Sequence, residues 1–126
     1  MSMETPLRRV LHYGAAHDGT GHFWRQRLTG AANAILVIFL LGLLVAIAGR
    51  PYSQVVSVVG SPLVAALLAL FIISFSIHMR LGMQTIVEDY IHGEGLKVVL
   101  LAANTFFAFL IAAVGLLAVL RLALGA

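Results

Sequence analysis

The sequence predicts an all-α membrane protein in which three helices cross the bilayer. Of its 126 residues, 61% are hydrophobic and only 10% are charged, and the mean hydropathy is +1.03. A soluble domain of this size exposes much of its surface and needs far more polar residues. The chain also contains three long apolar runs, each near the roughly 20 residues that a helix needs to cross the hydrocarbon core.

The first two apolar runs define the first two spans. The first run, GAANAILVIFLLGLLVAIAG at residues 30–49, is stopped by an Arg-Pro pair. The second starts near Pro62, a residue that is favoured in the first turn of a helix, and stays apolar to about Met79. We expect its helix to continue through the charged residues that follow, which makes 62–90 the second span.

The third apolar run and the links complete the organisation of the chain. The third span covers about residues 97–121, between a lysine and an arginine. The link SQVVSVVGS at 53–61 resembles a strand, but an amphipathic turn or short interfacial segment is the better interpretation. The sequence therefore divides into a polar cytoplasmic N-terminal segment, 1–28, and a three-helix membrane anchor, 29–126.

Composition and charge exclude several classes of function. The chain has no cysteine, so it forms no disulfide, thiolate metal site or iron–sulfur ligand. Its net charge is only +3, and its basic residues flank the apolar runs, which indicates membrane topology and no nucleic-acid partner. The N-terminal segment lacks the pattern of a secretory signal or a mitochondrial transit peptide. We therefore expect the bacterial inner membrane in preference to the mitochondrial inner membrane.

The distribution of lysine and arginine predicts an N-in/C-out topology. Six basic residues lie on the inner side in this orientation and two on the outer side, in agreement with the positive-inside rule. The inner residues are Arg8, Arg9, Arg25, Arg27, Arg80 and Lys97, and the outer ones are Arg50 and Arg121. The connection between the second and third spans then lies on the cytoplasmic side, together with the N-terminal segment.

The second span ends in a group of ionisable residues, SIHMRLGMQTIVEDYIHGEG at 76–95. Ionisable side chains are costly in hydrocarbon and therefore indicate a function by default. His78 and Asp89 are eleven positions apart, so they differ by only about 20° in direction on a helix. The small or polar residues near this line are Ser74, His78, Gly82, Thr85 and Asp89. We expect this stripe to face a bundle interior or a partner rather than lipid.

Two interpretations of His78 are open at this point. Gly82, one turn away, would leave a flat space beside the imidazole that suits a haem macrocycle bound through a ring nitrogen. Alternatively, Gly82 allows close helix packing and His78 forms a hydrogen bond across the bundle. A low-spin b-type haem needs two axial ligands, and His92 is too far away, about 21 Å along the helix. The second ligand would therefore come from another polypeptide.

Two motifs resemble a known family. The pattern IHMRLGMQTIVEDYI at 77–91 resembles the second-helix signature of the smaller cytochrome b membrane-anchor subunit of succinate dehydrogenase, the D subunit of respiratory complex II. In that family a histidine is followed by a glycine four residues later and by an Asp-Tyr pair eleven and twelve residues later. The corresponding residues here are His78, Gly82, Asp89 and Tyr90. The segment HFWRQRLTGAANAIL at 22–36 is similar to the start of the family's first helix, with Arg27 and Thr29 in an Arg-x-Thr arrangement.

The resemblance implies roles for five residues. His78 would be one axial ligand of a haem b, and the companion anchor subunit would supply the other. Tyr90 would donate a hydrogen bond to a carbonyl oxygen of ubiquinone, and Asp89 beside it would tune that tyrosine or a nearby proton path. Arg27 would lie near the haem propionates or the quinone head group, with His22 in the same vicinity.

The resemblance also implies a place in a larger complex. The chain has no dinucleotide fingerprint, no cluster of cysteines and no soluble domain for a flavin, so we predict no catalytic residue in it. Flavoprotein and iron–sulfur subunits would dock on the cytoplasmic face and deliver electrons from succinate. A second cytochrome b anchor subunit would complete a larger helical bundle in the bilayer. The complex would serve the tricarboxylic acid cycle and the respiratory chain.

Two alternative functions stay open. A non-redox three-span protein would use the stripe from His78 to Asp89 as a proton relay. A fumarate-reducing homologue would run the reaction in reverse with the same residues, since one fold serves several functions. The simpler interpretations of Tyr90 and Asp89 are an aromatic-belt residue and a solvated acid at the end of the helix.

Three further polar residues lie within or beside the spans. Arg80 is about 200° from His78 on a helix, so we expect it to point away from a haem at that histidine. Asn33 and Asn104 lie inside apolar runs, and we expect both to form hydrogen bonds between helices.

Overall fold

The computed structural model describes residues 19–125, which form four helices and no strand. In chain order these are α1 (Gly19–Ile47), α2 (Tyr52–Val59), α3 (Pro62–Tyr90) and α4 (Glu94–Leu124). The three long helices α1, α3 and α4 are each long and apolar enough to cross a membrane. The predicted all-α class and the three spans are therefore confirmed.

The helices α1 and α4 extend beyond the predicted spans of 30–49 and 97–121, at the start of α1 and at both ends of α4. The second span was predicted at 62–90, and α3 has the same limits. α1 is already helical at Gly19, the first residue that the structure describes, because no proline interrupts the polar turns that precede its apolar run. Residues 1–18, which include the predicted basic residues Arg8 and Arg9, lie outside the described residues. The division of the chain at residue 28 stays a prediction.

Two glycines lie at the connections between helices, at positions where a side chain is disfavoured. α1 ends at Ile47, and Gly49 follows in the left-handed region with φ of 73°, which favours glycine over residues that carry a Cβ. The link 53–61 forms most of the short helix α2 rather than a strand. Gly60, after α2, lies so close to α4 that an added Cβ would be 2.7 Å from the carbonyl oxygen of Leu122.

The central helix is α3. It contacts α1 on one side and α4 on the other, whereas α1 and α4 do not contact each other within residues 19–125. Because neighbouring long helices run in opposite directions, the start of α1 lies beside the end of α3. The ionisable residues at 76–95 therefore share one end of the molecule with the first turns of α1. The N-in/C-out orientation of that end stays a prediction.

Hydrogen bonds between α3 and α4 involve Arg80. Its Nε donates to Thr105 Oγ1 at 3.3 Å, and Asn104 Nδ2 donates to the Arg80 carbonyl oxygen at 2.9 Å. Arg80 thus points toward α4, and Asn104 bridges two helices, as predicted. The Oδ1 of Asn33 is buried without a hydrogen-bond partner in the described part of the chain, so the bond expected of Asn33 is not formed through that atom.

Most of the apolar surface lies on the outside of the helices. Val45 is 78% exposed and Ile38 is 72% exposed, although both lie within an apolar run. The buried apolar residues of the described part are Leu43, Ala65, Leu81, Val87, Ala108 and Val119. Soluble monomers rarely expose contiguous apolar surface on this scale. Lipid and partner helices are the surroundings that such a surface requires.

Candidate functional site

His78 lies in the interface between α1 and α3, where it is half-buried. Its Nδ1 is 3.1 Å from Thr29 Oγ1. Gly30 faces the same ring, and a Cβ added there would be 3.3 Å from His78 Cε1. One turn away, Ser74 Oγ donates to the Thr29 carbonyl oxygen at 3.3 Å. The predicted stripe on α3 therefore faces the interior of the bundle, with α1 against it.

The space beside Gly82 is closed on the side of α1. A Cβ added to Gly82 would be 3.3 Å from the Nε2 of Gln26, so the amide group of Gln26 fills the position where a flat space was expected. Gly82 allows the two helices to approach, which is the second of the two interpretations of this residue. A macrocycle bound at His78 would have to lie on another side of the ring or displace Gln26.

A cleft opens between the first turns of α1 and the last turns of α3. It has a volume of about 420 Å³ and is lined by His22, Phe23, Gln26, Arg27 and Thr85. The Arg27 guanidinium lies over the Phe23 ring, 4.3 Å from its centroid, which holds the cation in place. The Nε2 of His22 is buried without a hydrogen-bond partner among the described residues. The structure thus brings Arg27 and His22 together.

Asp89 and Tyr90 lie at the same end of the molecule as this cleft. Asp89 is four residues after Thr85 on α3, so the two share one face of the helix. Both residues of the pair are exposed, Tyr90 to 75%. Within the described residues Arg27 forms no ion pair with Asp89. The structure therefore brings Arg27, Asp89 and Tyr90 to one end of the molecule, without an ion pair between Arg27 and Asp89.

Neither the position of Gln26 nor the contact of Thr29 with His78 was predicted from the sequence. Three polar residues of α1 face α3, namely His22, Gln26 and Thr29, and Asn33, whose Oδ1 is buried, continues their spacing along the helix. Their spacing of four, three and four residues is typical of one face of a helix. The signal was present in the sequence, but it indicates only that the face is polar and does not identify its neighbours.

These features define a multi-pass α-helical membrane protein with a histidine held between its first two long helices. Residues 1–117 match the family model described as succinate dehydrogenase/fumarate reductase transmembrane subunit. The chain belongs to this family, and the resemblance found in its two motifs is confirmed.

Three relatives are similar over most of the chain. The succinate dehydrogenase hydrophobic membrane anchor subunit of Paracoccus denitrificans is 27% identical over 122 residues, which cover 97% of this chain and 94% of the relative. The succinate dehydrogenase membrane anchor subunit of Reclinomonas americana is 29% identical over 94 residues, covering 72% and 78%. The hydrophobic membrane anchor subunit of Rickettsia bellii is 28% identical over 97 residues, covering 77% and 78%. No solved structure matches the chain.

Proposed function

We propose that this chain is the hydrophobic membrane anchor of a succinate:ubiquinone oxidoreductase. It shares a haem b and a ubiquinone site with a companion anchor subunit, and it docks the flavoprotein and iron–sulfur subunits. The observation that carries this proposal is the setting of His78, held by Thr29 and Gly30 between two spans. The relatives, which are subunits of succinate dehydrogenase, support it.

The hydrogen bonding of His78 is compatible with a role as an axial haem ligand. Its only hydrogen bond within the described residues uses Nδ1, which leaves Nε2 for a metal. A bound haem supplies one-electron transfer between the clusters of a partner subunit and the quinone. No second histidine of the described part lies at this depth, since His92 is exposed in the connection after α3 and His22 lies two turns from Thr29 along α1. The second axial ligand is therefore assigned to the companion subunit.

The end of α3 fits a quinone site. Quinone reduction places negative charge on the carbonyl oxygens, and donors positioned there stabilise that charge. Tyr90 supplies an exposed hydroxyl at the last residue of α3, and Arg27 supplies a cation held by Phe23. Asp89 beside Tyr90 accepts a proton or orients the tyrosine. The neighbouring cleft of about 420 Å³ lies within the size range of small-molecule sites, roughly 300–1,000 Å³.

The same end of the molecule is assigned to the cytoplasm of a bacterial cell, in the N-in/C-out orientation that the basic residues favour. Phe23 and Trp24 are about half exposed there, at 49% and 56%, and their rings meet edge to face with centroids 5.9 Å apart. Exposed aromatic residues at a polar end suit the membrane interface or a docked soluble subunit. The flavoprotein and iron–sulfur subunits would cover this surface.

A spectrum of the assembled complex tests the haem assignment. The purified complex should show the absorption band of a reduced b-type haem, and His78→Ala should diminish or relocate it. His92→Ala is the matched control, because this exposed histidine lies outside the α1–α3 interface and its removal should leave the band unchanged. An unaltered band in His78→Ala would contradict the ligand assignment. A complex without any haem would favour the alternative, a non-redox proton relay along the stripe.

A further inference from the structure

The Thr29 hydroxyl has three polar neighbours. Its Oγ1 is 2.6 Å from the Arg25 carbonyl oxygen, 3.2 Å from the Gln26 carbonyl oxygen and 3.1 Å from His78 Nδ1. The first two belong to the preceding turn of α1, and the third lies across the helix interface. A hydroxyl carries one proton and two lone pairs, so these three contacts cannot all use the same role of the oxygen.

The contact distances assign the proton. Carbonyl oxygens are acceptors only, and 2.6 Å is typical of a short O–H···O hydrogen bond, so the Thr29 hydroxyl proton is donated to the Arg25 carbonyl oxygen. Oγ1 then meets His78 with a lone pair and accepts from Nδ1–H. A neutral imidazole with its proton on Nδ1 has its lone pair on Nε2.

Contacts with α1 also restrict the position of the His78 ring. Thr29 Oγ1 is anchored to the backbone of its own helix, so the acceptor for Nδ1–H does not move freely. Gly30 supports the ring from the adjacent position, where even a methyl group would be 3.3 Å from Cε1. Ser74, one turn before His78, donates to the Thr29 carbonyl oxygen and ties α3 to the same residue.

We propose that Thr29 is a positioning residue for His78: by accepting from Nδ1–H it holds the imidazole in the tautomer and orientation that present Nε2 to the haem iron. This inference rests on the proposed function, in which His78 is an axial ligand. Hydrogen-bond acceptors behind a metal-bound histidine fix its ring and make it a stronger donor, and their loss typically costs about 10- to 100-fold in metal affinity. A stronger donor favours the ferric state, so Thr29 also lowers the midpoint potential.

Three variants in the assembled complex test this inference. Thr29→Val keeps the shape of the side chain and removes the acceptor, so haem affinity should fall about 10- to 100-fold and the midpoint potential of the remaining haem should rise. Thr29→Ser keeps the hydroxyl and should restore both values. Thr105→Val is the matched control, because Thr105 Oγ1 also donates within its own helix, to Leu101 O at 2.9 Å, and accepts across an interface from Arg80, away from His78. It should alter neither quantity.

The outcomes distinguish the role of Thr29 from the proposed role of His78 as an axial haem ligand. If His78→Ala removes the haem while Thr29→Val leaves affinity and potential at their normal values, the role of Thr29 is refuted and the ligand assignment stands. Haem retained in His78→Ala refutes the ligand assignment itself. Equal losses in Thr29→Val and Thr105→Val would refute a specific role, since they would reflect only weakened helix packing.

Discussion

Because Gly30 contacts His78, a larger residue at position 30 should weaken the proposed haem site at His78 and leave the fold intact. In Gly30→Ala the new Cβ would lie 3.3 Å from His78 Cε1. Carbon atoms in favourable contact are about 3.5–4.0 Å apart, so the ring has to retreat by roughly 0.2–0.7 Å. That distance is comparable to the tolerance of a metal or catalytic site, about 0.5 Å.

The expected result follows from two opposing effects. Alanine is favoured over glycine in a helix by about 0.8–1.0 kcal/mol, which offsets much of the cost of the new contact. The thermal stability of the variant complex should therefore change little. The displaced ring, however, stretches its 3.1 Å bond to Thr29, and we expect haem affinity to fall about tenfold, the lower end of the effect of losing such support.

Haem content per complex and the midpoint potential measure this effect, with a melting curve as the test of folding. Gly42→Ala is the matched control, since it adds the same methyl group to the same helix where nothing lies within 4 Å. It should gain helix stability and leave haem affinity unchanged. A normal haem affinity in Gly30→Ala would show that the ring is not seated against α1 as described.

Two further substitutions address the quinone and the space beside Gly82. Tyr90→Phe should reduce electron transfer to quinone about tenfold, because one hydrogen bond of roughly 1.4 kcal/mol is lost. Succinate oxidation with an artificial acceptor should stay normal. If the variant reduced quinone as fast as the unmodified complex, Tyr90 would not belong to the site. Gly82→Ala should keep its haem absorption band, because the new Cβ meets only the mobile end of the Gln26 side chain. If the variant lost that band, the macrocycle would have to lie against Gly82, contrary to this prediction.

The features that depend on a single helix could be predicted from the sequence. Hydropathy and length predict the three spans, since the bilayer sets the length of an apolar run. The 100° step predicts that Ser74, His78 and Gly82 share a face, and each of them contacts α1. Arg80 points away from that face for the same reason.

The features that depend on two helices were not predictable from the pattern. The flat space expected beside Gly82 is filled by the amide group of Gln26. This was not predicted, because the periodicity of α3 contains no information about the side chains that α1 presents to it. For the same reason, the sequence did not show whether Asp89 and Arg27, which lie at one end of the described residues, would form an ion pair. The early start of α1 was missed because polar residues continue a helix beyond the hydrocarbon without an apolar signal.

Within residues 19–125, α3 lies between two helices that do not contact each other, and this position has a consequence for assembly. His78 meets α1, and Arg80, about 200° away on α3, meets α4, so the three long helices lie nearly in a row. A row has two broad sides, and among residues 19–125 neither is covered by a fourth long helix. The companion subunit that we propose would lie across one side without first separating α1 from α3 or α3 from α4, so its addition would be a docking event rather than a rearrangement.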